Sequence, residues 1–218
     1  MATEKLYLWS AAISAEATIT ALLDGERKVV RLSRTVFHAQ GGGQRADKGT
    51  IAGRAVVDVR HAEGDEVDHV VASLEGLAVG ATVQLEVDMD RRHLHARLHS
   101  AGHLIADAGT IVAPQLVAKA GHHWPHEARV EFAGSVDDAT AFASALASKL
   151  DELIAKNLSL AVLGDPSTTR KVRICGAPVA CGGTHVAALG EIGQITIRRV
   201  QQKGGMLRVG YGVSGEDS

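Results

Sequence analysis

Two short patterns, His99-x-x-x-His103 and Cys181-Gly-Gly-Thr-His185, bring three imidazoles and one thiolate into play. Nitrogen and sulfur donors in that number are a set Zn(II) takes up tetrahedrally, at about 2.0–2.1 Å for nitrogen and about 2.3 Å for sulfur. A helix puts residues four apart on one face, so His99 and His103 can reach one ion if their segment is helical. His95-x-x-x-His99 has the same spacing and is an equally valid pair on these grounds. The consecutive Gly182 and Gly183 permit backbone angles closed to other residues, which would let the chain turn sharply and return His185 to the side of the Cys181 sulfur.

Other metal patterns fail. There is no His-Glu-x-x-His, so the metalloprotease arrangement with its built-in base is absent, and no Cys-x-x-Cys accompanies a His-x-Glu as in the deaminases. Cys175, the other cysteine, lacks a nearby histidine and reads as a small buried hydrophobe. His122, His123 and His126 cluster around Trp124-Pro125 and read as solvated histidines or, alternatively, as a loop near the metal site.

A second feature is Phe37-His-Ala-Gln-Gly-Gly-Gly-Gln44, with three glycines between strand-like segments. No Lys-Ser or Lys-Thr follows and no helix begins there, so it is not an NTPase phosphate loop. Gly41, Gly42 and Gly43 read either as a hairpin connection or as a wall of bare backbone against which a ligand can lie, flanked by the amides of Gln40 and Gln44.

The elements that must position these residues fall into two groups. Thr18–Leu23, Lys28–Leu32, Gly49–Val59, Val67–Val71 and Thr82–Val87 are rich in Val, Ile, Leu and Thr and are divided by turn signals such as Asp24-Gly25. Short strands at that spacing predict a small β-barrel or sandwich over residues 1–88. The pattern changes at Asp88-Met-Asp-Arg-Arg92. Asp88 or Asp90 can cap a helix from about Arg91 to Ala108, and Ser135 or Asp137 a second from about Val136 to Asn157, where apolar residues recur at helical spacing. Strands return at Ala161–Leu163, Val172–Ile174, Gln194–Val200 and Leu207–Tyr211. The expected class is α+β: a small N-terminal β-barrel carrying the glycine loop, then a two-helix plus antiparallel-sheet domain over residues 89–218.

Composition narrows the partners. With 218 residues, 45% hydrophobic and 22% charged, the chain has the make-up of a globular protein that buries a full core. The net charge of −2 argues against a broad phosphate-binding surface, although Arg170, Lys171, Arg173, Arg198, Arg199, Lys203 and Arg208 make a local basic strip. Aromatics are 3%, too few for base stacking as the main binding mode. No apolar run reaches membrane-spanning length, and Met1-Ala-Thr-Glu-Lys-Leu6 does not begin like a secretory signal, so no membrane partner and a cytoplasmic location are expected.

Taken together, Arg34-Thr-Val-Phe-His-Ala-Gln-Gly-Gly-Gly-Gln44, Asp88-Met-Asp-Arg-Arg92, His99-Ser-Ala-Gly-His-Leu104, Cys181-Gly-Gly-Thr-His-Val186, Gly190-Glu-Ile-Gly193 and Arg208-Val-Gly-Tyr211 resemble freestanding alanyl-tRNA editing proteins of the AlaX type. They also resemble the editing region of alanyl-tRNA synthetase, whose second additional domain is shared with threonyl-tRNA synthetase. The resemblance implies a trans-acting hydrolase that deacylates mischarged tRNA(Ala), with Ser-tRNA(Ala) and also Gly-tRNA(Ala) as substrates. It implies Zn(II) as cofactor, held by His99, His103, Cys181 and His185, and thereby selects His103 over His95. It assigns Gly41, Gly42 and Gly43 to the family's glycine-rich loop; Gln40 and Gln44 flank that loop, and from their positions Thr35 and Gln44 are candidates to meet the serine hydroxyl. The chain departs from the family at Ser100 and Gly102, where threonine is usual; Gly102 removes a side chain beside the site.

Overall fold

Barrel closure follows from the strand pattern of the first half of the chain. In a computed structural model that describes residues 2–216, the short β1 (Glu4–Lys5) pairs in parallel with β4 (Arg34–Thr35). The longer strands β2 (Ser14–Asp24), β3 (Lys28–Leu32), β5 (Gly49–Ile51), β6 (Arg54–His61), β7 (Val67–Val71) and β8 (Thr82–Val87) close a barrel in the order β2-β3-β7-β6-β5-β8. Closure leaves no unpaired edge among them. Period-two alternation fills the interior: Val83, Leu85 and Val87 point inward from β8, and Val67, His69 and Val71 from β7. Ile19, Val30, Leu32, Phe37, Ile51 and Val59 complete this core.

His69 is the polar member of that interior. Its Nδ1 meets the Val30 carbonyl at 3.0 Å and its Nε2 meets Thr35 Oγ1 at 2.8 Å, so the ring donates to the carbonyl and accepts from the hydroxyl. Burial pushes its pKa down to about 4.

The second half is α+β. Helix α1 (Met89–Val112) is capped by Asp88, whose Oδ1 accepts from Arg91 N at 3.1 Å. Strands β9 (Val117–His122) and β10 (Arg129–Ala133) follow, then α2 (Ala139–Ala155), β11 (Ala161–Leu163), β12 (Lys171–Arg173), β13 (Val179–Ala180), β14 (Ile195–Lys203) and β15 (Met206–Val213). They form an antiparallel sheet in the order β14-β15-β10-β9 and a three-stranded sheet β11-β12-β13. The cap of α2 is Asp138, not Ser135 or Asp137: its carboxylate accepts from the amides of Thr140 and Ala141 at 2.7 and 3.0 Å. Leu98, Leu104 and Ile105 of α1, Phe132 of β10, Leu146 and Leu150 of α2 and Leu207, Val209 and Tyr211 of β15 share one core.

The chain forms two compact units, Met1–Gly41 with Arg45–Arg92 and Gly42–Gln44 with His93–Ser218. The last residues of the glycine loop therefore group with α1 and its sheets. Among the described residues no helix is long and apolar enough to cross a membrane.

Candidate metal centre

The centre forms within the second unit, where α1 faces the turn after β13. His99 and His103 lie one helical turn apart with ring centroids 5.0 Å apart, and the His185 ring is 4.7 and 5.2 Å from them. One donor atom from each of His99, His103, Cys181 and His185 lies within 4.8 Å of the others. Cys181 Sγ is 3.5 Å from His99 Nε2 and 3.6 Å from His185 Nε2. A tetrahedral ion with ordinary zinc bond lengths would hold such a sulfur and nitrogen about 3.6 Å apart. His103 Nε2 is buried with no hydrogen-bond partner among the described residues, which is costly unless a ligand takes it up. On distances, donor chemistry and this unsatisfied nitrogen, the residues fit a bound metal ion. His95 is buried on α1 outside this group.

The Cys181–His185 turn owes its shape to space. Neither Gly182 nor Gly183 has a positive φ, so the expected need for unusual backbone angles is not the reason for them. Gly182 faces open space, whereas a Cβ on Gly183 would strike the His99 ring and stand 2.8 Å from Gln44 Oε1. Ser100 on α1 accepts from Val186 N at 3.2 Å, and the Arg170 guanidinium donates to the Cys181 carbonyl, tying both ends of the turn down.

Gln44 is a structural keystone of this cluster. It is fully buried; its Oε1 accepts from His99 Nδ1 at 2.8 Å and from Thr184 N at 3.0 Å, and its Nε2 donates to Thr184 Oγ1 at 2.8 Å. A proton on His99 Nδ1 puts the ring's lone pair on Nε2, the atom that faces Cys181 Sγ. The side chain expected to face a substrate thus spends its amide on the candidate ligand His99 and on Thr184. Gly43, at φ 76°, has its carbonyl 2.9 Å from His123 N, and a Cβ there would lie 2.5 Å from Gly121 O. Gly42 is also left-handed, at φ 56°. The remaining substrate-side residues belong to the barrel unit. Thr35 is buried, with its hydroxyl on His69 and the Phe37 amide; Gln40 N donates to Val59 O at 3.0 Å, and Gly41 lies against His61.

His123 corrects the reading of its cluster as solvated. It is 5% exposed and stacks on His99 with centroids 4.5 Å apart, because β9 and β10 form a hairpin that carries it inward. Burial pushes its pKa down to about 3. Burial likewise lowers His103 and raises the Cys181 thiol, with the Gly183 amide and Arg170 opposing the latter. The basic strip is partly committed: Arg198 pairs with Glu216 and Arg208 with Glu131, while Lys171, Arg173, Arg199 and Lys203 are exposed.

Comparison with known proteins places this geometry. Residues 172–208, which include Cys181 and His185, match the family described as the threonyl and alanyl tRNA synthetase second additional domain. The alanyl-tRNA editing protein AlaX-M of Methanosarcina mazei is 30% identical, with 93% of this chain and 92% of that protein covered. This chain belongs to the AlaX family. The AlaX-M of Methanosarcina barkeri is 31% identical over 93% of this chain and 95% of its own length. The alanine–tRNA ligase of Renibacterium salmoninarum is 29% identical over 92% of the chain, which spans 26% of that ligase. The chain thus spans about a quarter of the ligases it matches and nearly the whole of the freestanding relatives.

Proposed function

We propose that this chain is a trans-acting hydrolase that removes the amino acid from mischarged tRNA(Ala), Ser-tRNA(Ala) first and Gly-tRNA(Ala) second, at a Zn(II) site of His99, His103, Cys181 and His185. The observation that carries the reading is the convergence of those four donors in a chain similar along nearly its whole length to AlaX-M editing proteins. Bound zinc would supply polarisation of the ester carbonyl and a water acidified toward a pKa of about 7. The chain's own part is positioning: Gln44 fixes the His99 tautomer, Gly183 admits the imidazole, Gly43 packs against Gly121 and His123, and the backbone at Gly42 faces open space. Of the substrate-side residues, Gln40, Gly41 and Thr35 keep their assignment as part of this proposal. The exposed Lys171, Arg173, Arg199 and Lys203 are the side chains offered to tRNA phosphates.

An editing site has a physical reason to exist. A synthetase pocket separates substrates that differ by a methyl or an added hydroxyl by only about 1–3 kcal/mol, so a second selection is needed. The four-ligand set is also that of a closed structural zinc site, which favours a second reading, a tRNA-binding module without catalysis. Metal-loaded protein mixed with Ser-tRNA(Ala) and Ala-tRNA(Ala) separates the two. The proposal requires release of serine with alanine spared; tRNA binding with both esters intact would establish the second reading, and cleavage of small esters without tRNA binding would point to a different hydrolase.

A further inference from the structure

A fourth imidazole, that of His123, lies in the cluster without being one of the four ligand residues. Three glycines from three separate segments make its space. A Cβ on Gly102 would lie 2.5 Å from His123 Nδ1, one on Gly121 2.5 Å from Cε1 and Nε2, and one on Gly43 3.1 Å from Cδ2. The departure from the family's usual threonine at position 102 therefore has a structural counterpart: where a side chain would stand, the His123 ring stands instead.

The ring is also oriented. Tyr211 Oη donates to the Leu98 carbonyl at 2.9 Å, so toward His123 it acts as acceptor, and Nδ1–H donates to it at 2.7 Å. The proton is thereby fixed on Nδ1 and the lone pair on Nε2. No described residue hydrogen-bonds Nε2, and it is not among the side-chain atoms sealed from solvent. The ring thus presents one oriented acceptor, stacked 4.5 Å from His99 and 6.4 Å from His103 by centroid. A purely space-filling role would be met by an apolar side chain with no need for the Tyr211 bond.

We propose that His123 is a substrate-contacting residue whose Nε2 accepts a hydrogen bond from the aminoacyl group held at the metal centre. The inference rests on the editing reading for the identity of that group. The donor is the α-ammonium or the serine hydroxyl, and the two are separable by experiment.

His123→Asn keeps an N–H at the Nδ1 position for Tyr211 but has no atom at Nε2, whereas His123→Gln restores an acceptor near Nε2. Binding of 3′-deoxy-3′-(seryl)amino- and (glycyl)aminoadenosine, which carry an amide in place of the ester, is measured by calorimetry, with zinc content determined on the same samples. His123→Asn should keep its zinc and weaken the seryl probe by about tenfold, the worth of one hydrogen bond to a polar ligand, and His123→Gln should recover most of that loss. Loss for the seryl probe alone assigns the hydroxyl; equal loss for both assigns the ammonium. Unchanged binding in His123→Asn, equal losses in both variants accompanied by loss of zinc, or failure of zinc-loaded wild-type protein to bind either probe would overturn the inference. Wild-type protein that binds the seryl probe through His123 yet leaves Ser-tRNA(Ala) intact would instead refute the editing reading alone.

Discussion

Replacing Gln44 by leucine tests how the metal centre is built. The substitution keeps roughly the volume and removes an acceptor shared by His99 Nδ1–H and Thr184 N–H, both in buried surroundings. A buried donor left unpaired costs about 1–3 kcal/mol, so the two together put about 2–6 kcal/mol at stake between fold and metal. The share felt by the metal is the loss of orientation at His99, for which loss of an outer hydrogen-bond partner typically costs about 10–100-fold in affinity. Gln44→Glu keeps both acceptor contacts, and Thr184 Oγ1 can rotate to donate to the carboxylate, so this variant should bind metal within a few-fold of wild type. Competition titration of zinc against a chromophoric chelator at neutral pH measures both variants, and thermal melting reports the share borne by the fold. Wild-type zinc affinity in folded Gln44→Leu protein would refute the assignment of Gln44 as the residue that orients His99.

Other consequences follow from the same geometry. Cys181→Ala and His103→Ala should each lose bound zinc while His95→Ala retains it, read by metal analysis of purified protein; retention by Cys181→Ala would mean the ligand set is wrong. Gly43→Ala should lower stability by more than about 2 kcal/mol, because strain at positive φ adds to a clash with Gly121 O, whereas Gly42→Ala, with open space around it, should cost about 1 kcal/mol; equal melting temperatures would contradict this. His69 has its folded pKa depressed to about 4 from 6.5, so its stabilising contribution is fully present above pH 6.5 and is lost as pH falls toward 4, a change of about 3 kcal/mol. His69→Gln should flatten that part of the stability profile, and an unchanged profile would place the acid sensitivity elsewhere.

Much of this architecture could be read in advance where side-chain alternation is strong. Thr82–Val87 exposes every second residue and Val67–Val71 half-buries every second one, and their limits agree with β8 and β7. Gly49–Val59 read as one strand because Ala52-Gly53, which turns the chain at φ 48° and 76°, is a weak hairpin signal. The β9–β10 hairpin has little sequence signal because Val117-Ala-Lys-Ala-Gly-His122 is exposed along nearly its whole length and has no apolar alternation. The start of α2 is ambiguous in sequence because Ser135, Asp137 and Asp138 all have side chains suited to a cap, and the structure shows Asp138 taking that role.

At the candidate metal centre the four donors were legible because spacing on a helix and in a tight turn is a local property. The residues that orient them were not, since Gln44 reaches Thr184 across 140 positions of sequence. The inward placement of His123 was only the second of two readings of its cluster for a related reason. Its signal was distributed over Gly43, Gly102 and Gly121, each of which alone reads as an ordinary glycine.

The central claim is that aminoacyl-ester hydrolysis takes place at the His99, His103, Cys181 and His185 centre, and serine release from Ser-tRNA(Ala) as zinc is removed and restored tests it most directly. Chelated protein should release no serine, one equivalent of zinc should restore the rate, and Cys181→Ala protein should stay inactive at the same zinc concentration. Full deacylation by metal-free or Cys181→Ala protein would contradict the account.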